Sequence, residues 1–569
     1  MKTNLRKSHL ALAVLAAFPA FYSTMASAQA ATEAKAAETE VIEVKGFRSS
    51  IIKAKDLKRE AMIAQDSIVA EDIADFPDLN LADSLQRVPG VTITREGGEG
   101  RQISLRGLGP DFTRVQVNGM EALGTSSSPM DARGAVSRTR AFDFNIFASE
   151  LFNQIDVKKS FSADQEEGGI AGTVNLRTAK PFDYDGAQAA VSAQVGTNSN
   201  TDSTDPRIAA LLSNTWSDFG ALVSVAYSDR ATNEYGTNTT RWRREGGKKA
   251  ADASNTELQA LLDSGELWFP RGHRYSVWEN DQNRLGITAA LQYKPNSDFS
   301  LVLDLMHGKL ENELSEHHMA VKDNSTVNSL VWRDNNGSKE VVYADYKNAT
   351  WRNENRQDHN ESVLDQISLT ADWTLTDDLK MSAMIGHSSS DYEQPRVNKL
   401  NIEASKKVNI ITDFTQDAFY GHSYSPSFDV TTLAGYTVKD LYFQSNFIYS
   451  DFDNAKLDFD YGLTDSSSLK FGANYKKFTN TGFERVAQDF PTNKATPQNQ
   501  GVKTLTAEQV QLFNGHPDKS WLQGDMAALQ AFYGLTDFTL TDAYTVESSA
   551  YDLAEETQAA YLVYDTEYD

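Results

Sequence analysis

Two adjacent histidines, His317 and His318, are the residues whose type first suggests metal chemistry. Neighbouring residues of a β-strand point to opposite faces, so the two imidazoles cannot easily share one ion. The sequence contains no G-x-S-x-G elbow, no phosphate-binding P-loop and no H-E-x-x-H motif. We therefore expect no catalytic site, no bound cofactor and no metal site, and we do not expect an enzyme.

Six tryptophans in polar segments could stack on sugar rings, because each offers a flat apolar face in polar surroundings. Each could equally belong to an interface belt or to the core of a loop, and for any single residue that structural role is the commoner one. These residues are Trp242, Trp268, Trp278, Trp332, Trp351 and Trp521.

The N-terminus indicates export. Lys2, Arg6 and Lys7 precede an apolar stretch from Leu10 to Phe21, and small residues follow with a plausible cleavage site at Ala26-Ser27-Ala28. The 569-residue chain has no cysteine, which excludes disulfides and thiolate metal sites. Its net charge of -25 argues against nucleic-acid binding and is typical of solvated loops.

Composition divides the chain into a signal peptide, a flexible tail, a mixed helix-and-strand domain, and a long region of strands separated by polar loops. We assign these to residues 1–28, 29–50, 51–182 and 183–569, respectively.

The last region predicts β-hairpins. Alternating apolar residues in 284–293 and 299–305 flank a polar turn at 294–298, and the same pattern recurs in 367–385 and 457–475. Segments of period two, joined by short turns on one side and long loops on the other, are typical of an antiparallel transmembrane β-barrel. A soluble β-sandwich or propeller also alternates, but it does not readily accommodate loops as long as Ala231–Asn280.

The preceding domain begins with a short helix. Leu81, Leu85 and Val88 form one apolar stripe, Asn80 is a plausible N-cap, and Pro89-Gly90 ends the helix. Four strands follow, and an apolar run predicted to be helical precedes the third. The strands are centred on Ile103–Leu105, Val115–Val117, Ile155–Lys159 and the glycine-rich Gly168–Arg177, and the apolar run is Phe144–Phe152. An α/β domain of this size is suited to filling a barrel of ~22 strands.

Several of these motifs, in this order, resemble the plug domain of TonB-dependent outer-membrane receptors. They are the helix with Pro-Gly-Val at 83–91, the Ile-Ser-Leu-Arg-Gly segment at 103–107 and the Val-Gln-Val-Asn-Gly turn at 115–119. The form of residues 142–152 and 168–172 is similar to a subgroup in which carbohydrate uptake is a frequent assignment.

The resemblance implies a TonB box, a short segment that pairs as a strand with the periplasmic protein TonB. The candidate is Glu40-Val41-Ile42-Glu43-Val44, which departs from the usual form at Glu43; an ordinary first plug strand is the alternative. The resemblance also implies a latch between plug and barrel glutamates. Arg106 matches its first residue, and Lys159 occupies the place of the second, where arginine is more usual and would give bidentate geometry.

The expected function is TonB-dependent active transport of a small-molecule ligand across the outer membrane, with TonB and outer-membrane lipid as partners. A carbohydrate oligomer is the favoured ligand and a ferric siderophore is the alternative; a passive porin or adhesin is a different class of function that needs neither plug nor TonB box. We place only ten to fourteen strands after residue 185 and therefore expect an incomplete, open barrel.

Overall fold

The computed structural model describes residues 47–70, 80–125, 139–239, 241–244, 246–270, 273–323, 326–404, 407–415, 423–433, 435–488 and 504–566. The signal peptide and the TonB-box candidate lie outside these residues. Among the described residues, no helix is both long and apolar enough to cross a membrane.

Two helices and seven strands are described in the plug. They are α1 (Phe47–Glu60), β1 (Gln65–Val69), α2 (Leu81–Leu85), β2 (Val91–Glu96), β3 (Glu99–Leu105), β4 (Thr113–Val117), β5 (Met120–Glu121), β6 (Phe152–Lys158) and β7 (Gly172–Thr178). Five strands form one sheet in the order β1-β6-β7-β4-β5, and β2 pairs with β3 as a separate hairpin. Residues 47–50, which we assigned to the end of the tail, belong to α1, where Lys58 pairs with Asp66 of β1 at 2.5 Å.

The local signals of the plug are confirmed. The Asn80 side chain accepts hydrogen bonds from the backbone of Ala82 and Asp83 and so caps α2. Asn118, at φ 53°, begins the turn after β4, and the nitrogen of its side-chain amide donates to the hydroxyl of Thr178 at 3.0 Å. This hydrogen bond connects the turn to the end of β7.

The helix predicted for Phe144–Phe152 is wrong. The run instead forms two 3-10 turns, Phe144–Ile146 and Ser149–Leu151, before β6 begins. Phe144, Ile146 and Phe147 are each at most 1% exposed. The run is thus buried on every side between plug and barrel strands, and its apolar residues do not form the one-sided stripe of a surface helix.

The described residues of the second region form eighteen strands and two further helices. Ten strands form one continuous path: β8 (Gln188–Thr197), β9 (Thr204–Trp216), β10 (Phe219–Asn238), β14 (His273–Tyr293), β15 (Phe299–Asp323), β17 (Ser338–Thr376), β18 (Leu379–Ala404), β21 (Tyr436–Thr464), β22 (Ser467–Ala487) and β25 (Tyr551–Thr566). The other elements are β11 (Trp242–Arg244), β12 (Lys249–Ala250), α3 (Thr256–Asp263), β13 (Leu267–Pro270), β16 (Thr326–Asn335), β19 (Val408–Asp413), β20 (Ser423–Pro426), β23 (Val510–His516), β24 (Lys519–Gly524) and α4 (Met526–Phe532).

We call the ten-stranded path the wall. Each strand pairs antiparallel with the next, and all three predicted hairpins are present. Along β10, Phe219, Val223 and Tyr227 are exposed on one face, whereas Ala226 on the other face packs against the plug. An apolar outer face and a plug-facing inner face are the arrangement of a transmembrane barrel. The sheet is open: in the described residues β8 and β25 are its edges and do not pair with each other, as expected.

Candidate functional site: the contact between plug and wall

The tip of the plug hairpin is bound to the wall by a buried carboxylate. Glu99, the first residue of β3, pairs with Arg284 of β14 at 2.6 Å and with Arg230 of β10 at 2.5 Å. The side chains of Glu99 and Arg284 are only 7% and 2% exposed. Burial alone would raise the pKa of Glu99, but the two guanidinium groups outweigh it and lower the pKa below its ordinary value. We call these three residues the clamp.

Hydrogen bonds around the clamp hold the backbone of the hairpin tip. The Gly98 amide donates to the Glu234 carboxylate at 2.9 Å, and the Thr232 hydroxyl donates to the Gly97 carbonyl at 3.1 Å. Arg284 also donates from Nε to the Asn145 carbonyl at 2.5 Å. Strands β10 and β14 thus bind two separate parts of the plug, the hairpin tip and the segment around Asn145.

Further ion pairs join the plug to other wall strands. Plug carboxylates meet wall cations in the pairs Glu150–Arg207 and Glu166–Lys476, and plug cations meet wall carboxylates in Lys180–Asp304 and Arg140–Glu555. The plug is therefore held by charges of both signs, and its most buried ionic contact with the wall places the carboxylate on the plug.

Glycines let apolar plug residues approach the wall closely. A Cβ on Gly286 would lie 2.4 Å from the Leu151 side chain, and one on Gly386 would lie 2.5 Å from the sulfur of Met120 and 2.9 Å from a backbone oxygen. A hydrogen bond from Gln366 to the Val117 carbonyl, 3.1 Å long, adds a neutral contact to β17. Close packing and polar contacts together hold the plug against β14, β17 and β18 of the wall.

The two residues assigned to the latch lie elsewhere. Arg106 is exposed at the turn after β3, and within the described part of the chain it forms no ion pair. Lys159 pairs with Asp66 of β1 and donates to the Pro89 carbonyl at 2.7 Å, so its partners are in the plug itself. The structure does not bring Arg106 and Lys159 to a common wall carboxylate among the described residues.

The six tryptophans occupy different environments. Trp351 and Trp521 are 1% and 0% exposed, which leaves no face for a ligand. Trp242 packs edge-on against Phe414. Trp268 lies under Arg244, and the 39%-exposed Trp332 lies under Lys339.

Trp278 lines a cavity on the inner face of the wall, in the halves of the strands far from the short turns. The other lining residues are Asn238, Arg274, Glu316, His318, Arg356, Val397, Lys399, Tyr442 and Gln444. Arg356 binds Glu316 at 3.2 Å and Asp358 at 2.7 Å, and Arg274 binds Glu354 at 3.4 Å. Lys399 lies 4.0 Å from the Glu354 carboxylate, so each of the three cations of the cavity has a carboxylate partner.

The histidine pair is divided between the two faces of β15. His318 contacts Ser276 and Glu316, whereas His317 contacts Gln523 and stacks on Phe513 at a ring distance of 4.1 Å. His318 is therefore part of the polar lining of the cavity.

A plug bound inside an antiparallel wall with an apolar outer face defines the class of plugged transmembrane β-barrels. Residues 57–173 match the family model of the TonB-dependent receptor plug domain. This part of the chain is therefore a TonB-dependent receptor plug domain.

Two curated relatives are similar to part of the chain. The ferric enterobactin receptor PirA of Pseudomonas aeruginosa is 33% identical over 123 residues, and the probable TonB-dependent siderophore receptor PirA of Acinetobacter baumannii is 31% identical over 126 residues. Each match covers 20% of this chain and 16% of the relative. The chain is thus matched to less than a fifth of the length of these relatives.

Two solved structures align with the chain at low sequence identity. The copper transporter OprC aligns with 88% of this chain and 60% of its own, at 13% identity and a TM-score of 0.36. The siderophore receptor PirA from Acinetobacter baumannii aligns with 76% of this chain and 93% of its own, at 12% identity and a TM-score of 0.25.

Proposed function

We propose that this protein is an outer-membrane receptor that imports a small-molecule ligand with energy supplied through TonB. The observation that supports this most directly is a plug of the TonB-dependent family held against the wall by the buried clamp. A passive pore would gain nothing from such a plug. In this proposal the signal peptide at 1–28 is removed, the tail presents Glu40–Val44 to TonB, and the plug moves within the barrel formed with residues 183–569.

The ligand class that the relatives support is a ferric siderophore, since both curated relatives are named as siderophore or enterobactin receptors. This reverses the order of ligands that we expected from the sequence. The burial of Trp351 and Trp521 also removes two of the six side chains that suggested sugar stacking.

One observation favours a carbohydrate oligomer as the second candidate. In the cavity beside Trp278, arginines are paired with carboxylates, so their charges are balanced. A balanced set of charge-assisted donors and acceptors is suited to the hydroxyls of a neutral ligand, whereas a highly anionic ferric catecholate needs an excess of cations.

Uptake experiments in intact cells test the proposal. Cells that express the receptor should take up the ligand only when TonB is present, and flux that persists without TonB would contradict active import. To separate the ligand classes, receptor-dependent growth is compared under iron limitation with ferric enterobactin and on single oligosaccharides as carbon source. Receptor-dependent growth with neither class would reject both ligands, while the TonB requirement would be judged separately.

A further inference from the structure

Lys159 joins three parts of the plug. It follows β6, and its ammonium group pairs with Asp66 of β1 while donating to the Pro89 carbonyl. Its side chain is 11% exposed, and that of Asp66 is 17% exposed. The backbone repeats the link, since the Lys159 amide donates to the Ala64 carbonyl at 2.7 Å. Lys159 therefore holds β1 and the segment that follows α2 together.

Pro89 stands at the base of the β2–β3 hairpin. The next residue, Gly90, accepts a hydrogen bond from the Arg106 amide at 2.8 Å, and Val91 pairs with Leu105 as the first rung of the hairpin. The other end of this hairpin is the tip, where Glu99 enters the clamp. The β2–β3 hairpin thus extends from its base beside Lys159 to its tip at the wall.

The strand β1 is at the edge of the plug sheet, where it pairs with β6 through five residues. All five residues are half-buried. An edge strand with one neighbour is among the first elements to open locally. It is also the first described strand after the tail that contains the TonB-box candidate.

We propose that Lys159 is a positioning residue that couples β1 to the β2–β3 hairpin. Through this coupling, the clamp at Glu99 stabilises the pairing of β1 with β6. The lowered pKa of Asp66, which Lys159 and Lys58 maintain against the opposing effect of burial, agrees with a strong contact at this joint. The coupling is a property of the plug and does not depend on which ligand is imported. Only the role of this coupling in regulating the release of β1 rests on the proposed function.

Hydrogen exchange of the β1 amides in the full receptor, in outer-membrane preparations without ligand or TonB, tests this coupling. Lys159→Met keeps the apolar stem and removes the charge, and we expect exchange of residues 65–69 to rise on the order of tenfold, as for loss of a partly buried ion pair. Lys58→Met is the matched control, because Lys58 also pairs with Asp66 but is 59% exposed. It should change exchange less than threefold, in the range of surface pairs.

The decisive comparison uses Glu99→Gln. In the otherwise unchanged receptor it should speed exchange of β1, and in the Lys159→Met background it should add nothing further. Unchanged β1 exchange in the single variant, or additive effects in the double variant, would overturn the coupling. Unchanged exchange of the β6–β7 amides shows that each variant keeps its plug sheet. Failure of this test leaves TonB-dependent uptake untouched, so the two proposals can fail independently.

Discussion

Replacing Glu99 with glutamine should loosen the plug from the wall. The change keeps the size of the side chain but leaves Arg284, which is 2% exposed, without its carboxylate. Removing one partner of a buried ion pair costs about 3–5 kcal/mol. Arg230 is 34% exposed and adds little, because water can replace its lost partner.

The lower figure of about 3 kcal/mol corresponds to a rise of roughly 150-fold in the ratio of released to seated plug. The assay is entry of an antibiotic too large for ordinary porins into cells that express the receptor, compared at equal receptor levels. The control is Arg95→Gln, which breaks the half-exposed pair Arg95–Asp83 in the same region of the plug and should leave entry unchanged. The double variant Glu99→Gln, Arg284→Gln should leak less than the two single effects combined, since the variants share one contact.

Equal antibiotic entry for wild type and Glu99→Gln, with normal receptor levels, would refute this reasoning. It would mean that the remaining ion pairs and the packing at Gly286 and Gly386 hold the plug without the clamp. Additive effects in the double variant would likewise show that Glu99 and Arg284 act separately.

The remaining predictions concern the tail, the turn, the cavity and pH. Ile42→Pro should abolish energised uptake while ligand binding remains, because proline removes a backbone donor from the strand added to TonB; normal uptake would place the box elsewhere. Arg106→Ala should raise antibiotic entry less than Glu99→Gln does, since Arg106 meets no wall carboxylate among the described residues; greater entry would restore it as the latch. Trp278→Ala should weaken ligand binding, measured by titration in outer-membrane preparations, without unfolding the receptor, and unchanged binding would exclude the cavity. Because the pKa of Glu99 is lowered on folding, plug retention measured by hydrogen exchange should be constant from pH 7 to 5 and fall only as the pH drops below the ordinary value of 4.5. Loss already near pH 6 would point to another group.

The sequence by itself determined the elements whose signals are local. Asn80 caps its helix, Asn118 forms its turn, and the polar residues 294–298 join two alternating strands because each of these interactions lies within a few residues. The same short-range signals distinguish the mixed plug from the alternating strands of the wall. They also support an open sheet: the expected ten to fourteen strands account for the ten strands of the described wall but not for the eight shorter strands beside it.

Only the tertiary structure decided which charges meet. Glu99 and Arg284 are 185 residues apart, and nothing near either residue in the chain indicates its partner. The tertiary structure likewise placed Lys159 on Asp66 of the plug instead of on the wall, and it buried Trp351 while leaving Trp278 beside a cavity. A side chain's type states what it can bind, but its partner and its burial depend on which distant strands the fold brings together.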